Sequence, residues 1–186
     1  MAVIMATPLD PVQAAFEAVM NSFKADLKDK QVYNDLLQIT TIDQVYDATD
    51  EIQKKQAKEG HLRHLSKISP YLQRLNEYAT TIEVFTQVKP EVLSLIWGPI
   101  KLLLQWTSVL KASFDAIVNT MAEIGELLPE FKRIIALFDQ NSTIKDVMVL
   151  FFRDILDFYL VTLKFFRLSR ELAHTSMYDC AALVLT

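Results

Sequence analysis

Glycine is scarce in this chain: only 3 are present among 186 residues, and they lie far apart at Gly60, Gly98 and Gly125. A loop that binds phosphate needs clustered glycines, because its backbone amides must approach the anion closely. Neither a Walker A pattern nor a dinucleotide-binding fingerprint can therefore be written on the sequence. With only 6 prolines as well, the chain has too few turn residues for a β-rich fold.

Cysteine and basic charge are also limited. Cys180 is the only cysteine, so an internal disulfide is excluded and a reducing, cytoplasmic location is expected. A chain of this length buries roughly 70% of its unfolded surface and needs no metal or disulfide for stability. The net charge is −4. Without a clustered basic face, we expect no nucleic-acid partner.

Hydrophobic residues make up 51% of the chain, with 11 phenylalanines, and most recur at helical spacing. Asp10-Pro11 is a typical helix start, Thr41 to Gln44 forms a capping box, and Lys89-Pro90 opens a later helix. The sequence predicts an all-α fold, a single bundle of about six or seven helices over residues 10–168. We expect a flexible N-terminus at 1–9 and a poorly ordered or loosely packed tail at 169–186.

The most hydrophobic segment, 92–110, is long enough to span a bilayer. It contains Gly98-Pro99 and Lys101, and a charge and a helix break in mid-span favour a buried helix instead. We predict a central, very apolar helix with a kink at Gly98-Pro99. Ser69-Pro70 marks either a kink or a fresh helix start. The last clear helix is predicted from about Thr143 to Leu168.

Residues capable of chemistry do not form a convincing site. His61 and His64 share a helix face but lack a matched carboxylate. Glu171 and His174 supply half of a di-iron motif that requires a second copy. Nothing in the sequence orients Cys180 beside a base. A cluster of four carboxylates is interpreted as a solvated helix face; it comprises Asp43, Asp47, Asp50 and Glu51. We expect no enzyme activity, metal, cofactor or small-molecule substrate.

Two features carry functional hypotheses. The first helix is amphipathic, and its stripe of Phe16, Val19, Phe23 and Leu27 either packs in the core or detaches to contact a membrane or a partner groove. The helix from Phe151 to Phe166 is nearly too apolar for a surface helix. It is interpreted as core, with dimerisation through part of it as the alternative.

Three segments resemble a helical domain that precedes the NACHT module in fungal NOD-like receptors. They are VKPEVLSLIWGPIKLLLQ at 88–105, FDAIVNTMAEIGELLPEF at 114–131, and FFRDILDFYLVTLKFF at 151–166. The Trp97-Gly98 pair is the most distinctive match. The resemblance covers 89–166 best, is moderate over 10–88, and ends near Arg167. Its motifs concern packing and identify no catalytic residue.

The resemblance implies an N-terminal signalling domain that responds when a NACHT module oligomerises. Our first hypothesis is a signalling or cell-death effector that acts by self-association or by membrane contact; in the second case it moves from cytoplasm to membrane on activation. The second is an adaptor or regulatory bundle that docks a protein partner without touching lipid. Because the chain carries no P-loop, we expect no nucleotide switching within these residues, whether they form a short protein or part of a longer receptor.

Overall fold

The computed structural model describes residues 11–58, 65–86, 89–107, 111–131, 133 and 142–184, with side chains of the last helix up to Arg167. Within these residues seven α-helices and one short 3-10 helix pack into a bundle, and no strand is present. The helices are α1 (Pro11–Leu27), α2 (Lys30–Leu36), α3 (Asp43–Lys58), the 3-10 helix (Leu65–Ile68), α4 (Ser69–Thr86), α5 (Pro90–Thr107), α6 (Lys111–Leu127) and α7 (Ser142–Val184). The predicted all-α fold is confirmed.

The junction between α1 and α2 is a sharp turn that two consecutive residues produce. Lys28 has a φ of 57°, the left-handed conformation that commonly ends a helix. Asp29 then caps α2, because its carboxylate accepts a hydrogen bond of 3.0 Å from the backbone N–H of Val32. Because Lys28 ends α1 and Asp29 caps α2, the chain reverses within two residues and α2 packs back against the bundle.

The start of α3 confirms one half of the predicted capping box, the return of Gln44 to the backbone before the helix, while the cap by the Thr41 side chain stays a prediction. The side-chain oxygen of Gln44 reaches back and accepts hydrogen bonds from the backbone N–H groups of Thr40, at 2.8 Å, and Thr41, at 3.2 Å. These two donors lie before the first turn of the helix and would otherwise have no helical partner. From this start α3 places Val45 and Ile52 in the core and packs against α5.

Of the two interpretations of Ser69-Pro70, the structure selects a fresh helix start. The 3-10 helix ends at Ile68 and α4 begins at Ser69. Pro70 therefore lies in the first turn of α4, where its missing N–H costs no helical hydrogen bond.

The central helix of the bundle is α5, which contacts every other α-helix in the described ranges. Leu95, Ile96, Ile100 and Leu103 are completely buried, so the hydrophobic segment is a core helix, as predicted. Among the described residues, no helix has both the length and the hydropathy that crossing a membrane requires. Pro99 lies inside the continuous helix; the kink stays a prediction.

The last helix is longer than its hydrophobic pattern indicates. We predicted an end near Leu168, and α7 continues to Val184, so that boundary was wrong. A helix needs only backbone hydrogen bonds to continue, and 169–184 contains neither proline nor glycine to stop it. The loosely packed tail stays a prediction. The predicted flexible residues 1–9 lie outside the described residues. The sequence also predicts a helix from Glu130 to Phe138 after Pro129, and its residues 134–138 lie outside them as well.

Candidate contact surfaces

The predicted contact stripe of α1 lies in the core of this structure. Phe16, at 1% exposure, Phe23 and Leu27 are buried, and Val19 is half-buried. The Phe16 ring packs on Phe152 of α7, with 5.3 Å between centroids. The core interpretation therefore describes this conformation, and use of the stripe by a membrane or partner requires α1 to leave α7.

Two ion pairs join α1 and its C-terminal junction to the rest of the bundle. Glu17 pairs with Lys89 just before α5, and Asp29 pairs with Arg167 of α7 at 3.1 Å. The hydrogen bond with Glu17 raises the pKa of Lys89. The hydrogen bond from the Val32 N–H, assisted by the charge of Arg167, lowers the pKa of Asp29. All four paired side chains keep part of their surface in water, so water screens both pairs and each contributes little to stability.

The outer face of α7 carries an apolar stripe, which we call the α7 stripe. Its members lie on one face of the helix, on both sides of Asp154, and are Val147, Leu150, Phe158, Val161 and Phe165. Val161 is 70% exposed and Phe165 is 63% exposed. The inner face of the same helix buries Phe152, Tyr159 and Phe166. The interpretation of Phe151 to Phe166 as core is therefore confirmed for the residues on the inner face of α7. Dimerisation through the outer residues stays a prediction.

Beside the α7 stripe lies an apolar groove between α4, α6 and α7, which we call the α4–α6–α7 groove. It encloses a pocket of about 210 Å³. The lining residues are Tyr71, Leu75, Ile124, Leu128, Phe151, Asp154, Ile155 and Phe158. Asp154 is the one charged member of this lining, and its side chain is exposed. The groove therefore offers apolar contact along its walls and a single carboxylate.

Three buried tyrosines connect the helices below this groove. Tyr159 donates a hydrogen bond of 3.2 Å to the carbonyl of Ile96, and the hydroxyls of Tyr71 and Tyr159 lie 3.0 Å apart. Tyr78 donates one of 2.6 Å to the carbonyl of Met148. Burial raises the pKa of all three phenols above the usual value for tyrosine, so they stay protonated into alkaline pH while the bundle is folded. Their partners are helix carbonyls and each other, which is a packing role and not an arrangement for catalysis.

Most of the remaining sequence candidates for chemistry lie outside the part of the chain that the structure describes. His61 and His64 lie outside the described residues, as do the side chains of Glu171, His174 and Cys180. The four carboxylates of the acidic cluster on α3 are exposed. In the part of the chain that is described, no group of side chains has the arrangement of a metal site.

Comparison with known proteins identifies a family for most of the bundle. The model of the family "Domain of unknown function (DUF7708)" matches residues 64–177, which is more than half of the chain. The chain belongs to the DUF7708 family. No curated protein and no solved structure matches the chain.

The DUF7708 segment covers α4 to α6 and α7 as far as residue 177, so it contains the whole α4–α6–α7 groove. Helices α1, α2 and α3 precede it and pack onto it through α5 and α7. Sequence reasoning missed the groove, because a pocket between three helices depends on how they cross. The sequence does contain a partial indication of an exposed apolar surface on α7. Apolar residues such as Val161 and Phe165 occupy more of the helix circumference than a single buried face does.

Proposed function

We propose that this chain is a non-enzymatic signalling domain of the kind that fungal NOD-like receptors carry, a cell-death effector that acts by self-association or by membrane contact. Two sources support the proposal: the resemblance of residues 89–166 to such domains, and the position of α1. The position of α1 is the observation that carries the proposal. Helix α1 precedes the DUF7708 segment, packs its apolar stripe on α7, and is tied by two partly exposed ion pairs.

In the proposed mechanism, α1 leaves α7 when the domain is activated. Its departure exposes the stripe of Phe16, Phe23 and Leu27 together with the face of α7 around Phe152. Apolar surfaces of this kind associate with each other or with a bilayer. Burial holds most of α1 in place, at about 1.5–3 kcal/mol for each large side chain. A trigger must therefore bind the open form more tightly than the closed one to shift the equilibrium.

The experiment that tests this proposal reverses the two cations that hold α1. Replacing Phe16 and Phe23 with glutamate would bury two charges and unfold the bundle, so surface changes are preferable. Lys89→Glu combined with Arg167→Glu turns both attractions into repulsions. The matched control is Lys54→Glu combined with Lys58→Glu, which makes the same charge change on exposed residues of α3.

We expect faster amide hydrogen exchange in α1 of the Lys89/Arg167 variant, with higher oligomers, binding to lipid vesicles and lower viability of cells that express it. The control variant should match the wild type in all four measurements. If α1 exchanges faster while oligomeric state, vesicle binding and viability stay unchanged, the effector proposal is wrong. Unchanged exchange in α1 would show that the ion pairs do not hold it, and would contradict the proposed release.

A second candidate is an adaptor that docks a protein partner while α1 stays in place. The observation that favours it is the α4–α6–α7 groove, which is open without any rearrangement and lies beside exposed Val161 and Phe165. The same experiment separates the candidates, since an adaptor stays monomeric and does not bind vesicles when α1 is loosened.

A further inference from the structure

We infer that the α4–α6–α7 groove is a docking site for an amphipathic helix with a basic residue, supplied by a partner protein. The inference rests on the second candidate function, an adaptor that docks a protein partner at this groove, and it adds the secondary structure and the charge of that partner. It does not require α1 to move.

The first support is the shape of the surface. The groove has a floor of Tyr71, Leu75 and Ile155, with Ile124 and Leu128 on its α6 side. Its pocket of about 210 Å³ is several times the roughly 30 Å³ that one water occupies in the liquid. An apolar side chain of a partner can therefore enter between the helices and be desolvated, which is how helix-in-groove contacts obtain most of their affinity.

The second support is the apolar surface on both sides of the pocket. On α6, Leu127 is 84% exposed and directly precedes the lining residue Leu128. On α7, the stripe from Val147 to Val161 spans roughly 21 Å at 1.5 Å per residue. This length matches about four turns of a partner helix. Exposed apolar surface that continues from a pocket is typical of a protein contact.

The third support is charge, which decides between occupants. Asp154 lies midway between Val147 and Val161 and lines the pocket, while Glu123 on α6 and Asp157 on α7 are exposed nearby along their helices. Carboxylates here repel an anionic membrane. A second copy of this chain, packed on the stripe about a two-fold axis at its centre, would bring two Asp154 carboxylates together. A partner helix that places lysine or arginine opposite Asp154 satisfies the carboxylate and fills the pocket.

The test uses two synthetic probes and two charge reversals, one of which is a control. Each probe is a fluorescently labelled helical peptide of about 16 residues, matched to the part of the stripe from Val147 to Val161. Both have leucine on one face; one has lysine on the other face, and the second has glutamate there. The full chain is titrated as wild type, as Asp154→Lys and as the control Asp47→Lys, which makes the same change on exposed α3.

We expect the lysine peptide to bind the wild type and the Asp47→Lys variant equally, and the Asp154→Lys variant at least about tenfold more weakly. The glutamate peptide should bind Asp154→Lys better than wild type. Val161→Glu, at an exposed position of the stripe, should weaken both peptides. Equal effects of the two charge reversals, or no binding of the lysine peptide to wild type, would overturn the inference.

The same variants separate the other occupants. If the wild type instead binds vesicles of phosphatidylcholine and phosphatidylserine through this face, or forms a dimer that Val161→Glu dissolves, the surface is a membrane or self-association site and the inference is wrong. Failure of the peptide test would not contradict the proposed release of α1, because the Lys89/Arg167 variant tests that release separately and in another part of the bundle.

Discussion

At the scale of single residues, the buried tyrosines show how polar atoms are accommodated in an apolar core. Tyr159 donates to the Ile96 carbonyl, so its single hydroxyl hydrogen is used and the Tyr71 hydroxyl must donate to the Tyr159 oxygen. This chain of two hydrogen bonds joins α4, α7 and α5. The Tyr159 hydroxyl takes part in both hydrogen bonds, whereas the Tyr71 hydroxyl takes part in one.

We therefore expect Tyr159→Phe to cost more stability than Tyr71→Phe. Loss of the Tyr159 hydroxyl leaves the Tyr71 hydroxyl buried without its acceptor, at about 1–3 kcal/mol, whereas loss of the Tyr71 hydroxyl removes one hydrogen bond, at about 0.5–1.5 kcal/mol. The double variant should cost less than the sum, since no hydroxyl is then left unpaired. Urea unfolding of the three variants checks this order; strict additivity would contradict the linked arrangement.

At the scale of helices, close approach between elements depends on glycine. A Cβ at Gly98 of α5 would lie 2.5 Å from the carbonyl oxygen of Leu36, and one at Gly125 of α6 would lie 2.5 Å from the backbone nitrogen of Tyr71. Beside the first contact, the Ser94 hydroxyl lies 3.3 Å from the Leu37 carbonyl at the end of α2. The end of α2 therefore packs directly on the backbone of α5 at Gly98, where no side chain separates the two helices.

Gly98→Ala should destabilise the protein even though alanine is the better helix former. The gain in helix propensity is about 1 kcal/mol, whereas forcing a methyl group against backbone costs about 1–3 kcal/mol. We expect a lower urea midpoint with an unchanged m-value. Thr120→Ala at an exposed position of α6 is the control and should be neutral or slightly stabilising. A Gly98→Ala protein at least as stable as wild type would show that α2 can move away freely.

At the scale of the whole molecule, α5 connects the DUF7708 segment to the three helices before it through one shared core. It packs on α2 and α3 on one side and on α6 and α7 on the other. The buried tyrosines belong to this shared core, so ionising them requires the bundle to open. Alkaline pH therefore acts on the stability of the whole fold.

The sign of this pH dependence follows from the raised pKa values. Unfolding exposes Tyr71, Tyr78 and Tyr159, whose pKa returns to about 10, while the folded state keeps them protonated well above that pH. Above about pH 10 the unfolded state therefore binds fewer protons than the folded state. The contribution of these tyrosines to the free energy of unfolding is constant below that pH and decreases above it. The slope is about 1.4 kcal/mol per pH unit for each tyrosine.

Phenolate absorbance and helical circular dichroism, recorded together during an alkaline titration, check this expectation. The absorbance of the buried phenols should appear only as the helices are lost. Tyr78→Phe should reduce the slope of stability against pH by about one tyrosine's contribution. Ionisation of these phenols in a bundle that keeps its helical signal would contradict it.

The sequence by itself determined the all-α class, the helix starts at Pro11 and Pro90, the Gln44 cap and the buried central helix. These features are local, because they depend on hydrophobic period and on groups within a few residues of each other. Only the tertiary structure decided that the α1 stripe packs on Phe152, that Gly98 receives the end of α2, and that Asp154 meets a groove between three helices. Such contacts join residues far apart in the chain, and how the helices cross sets them.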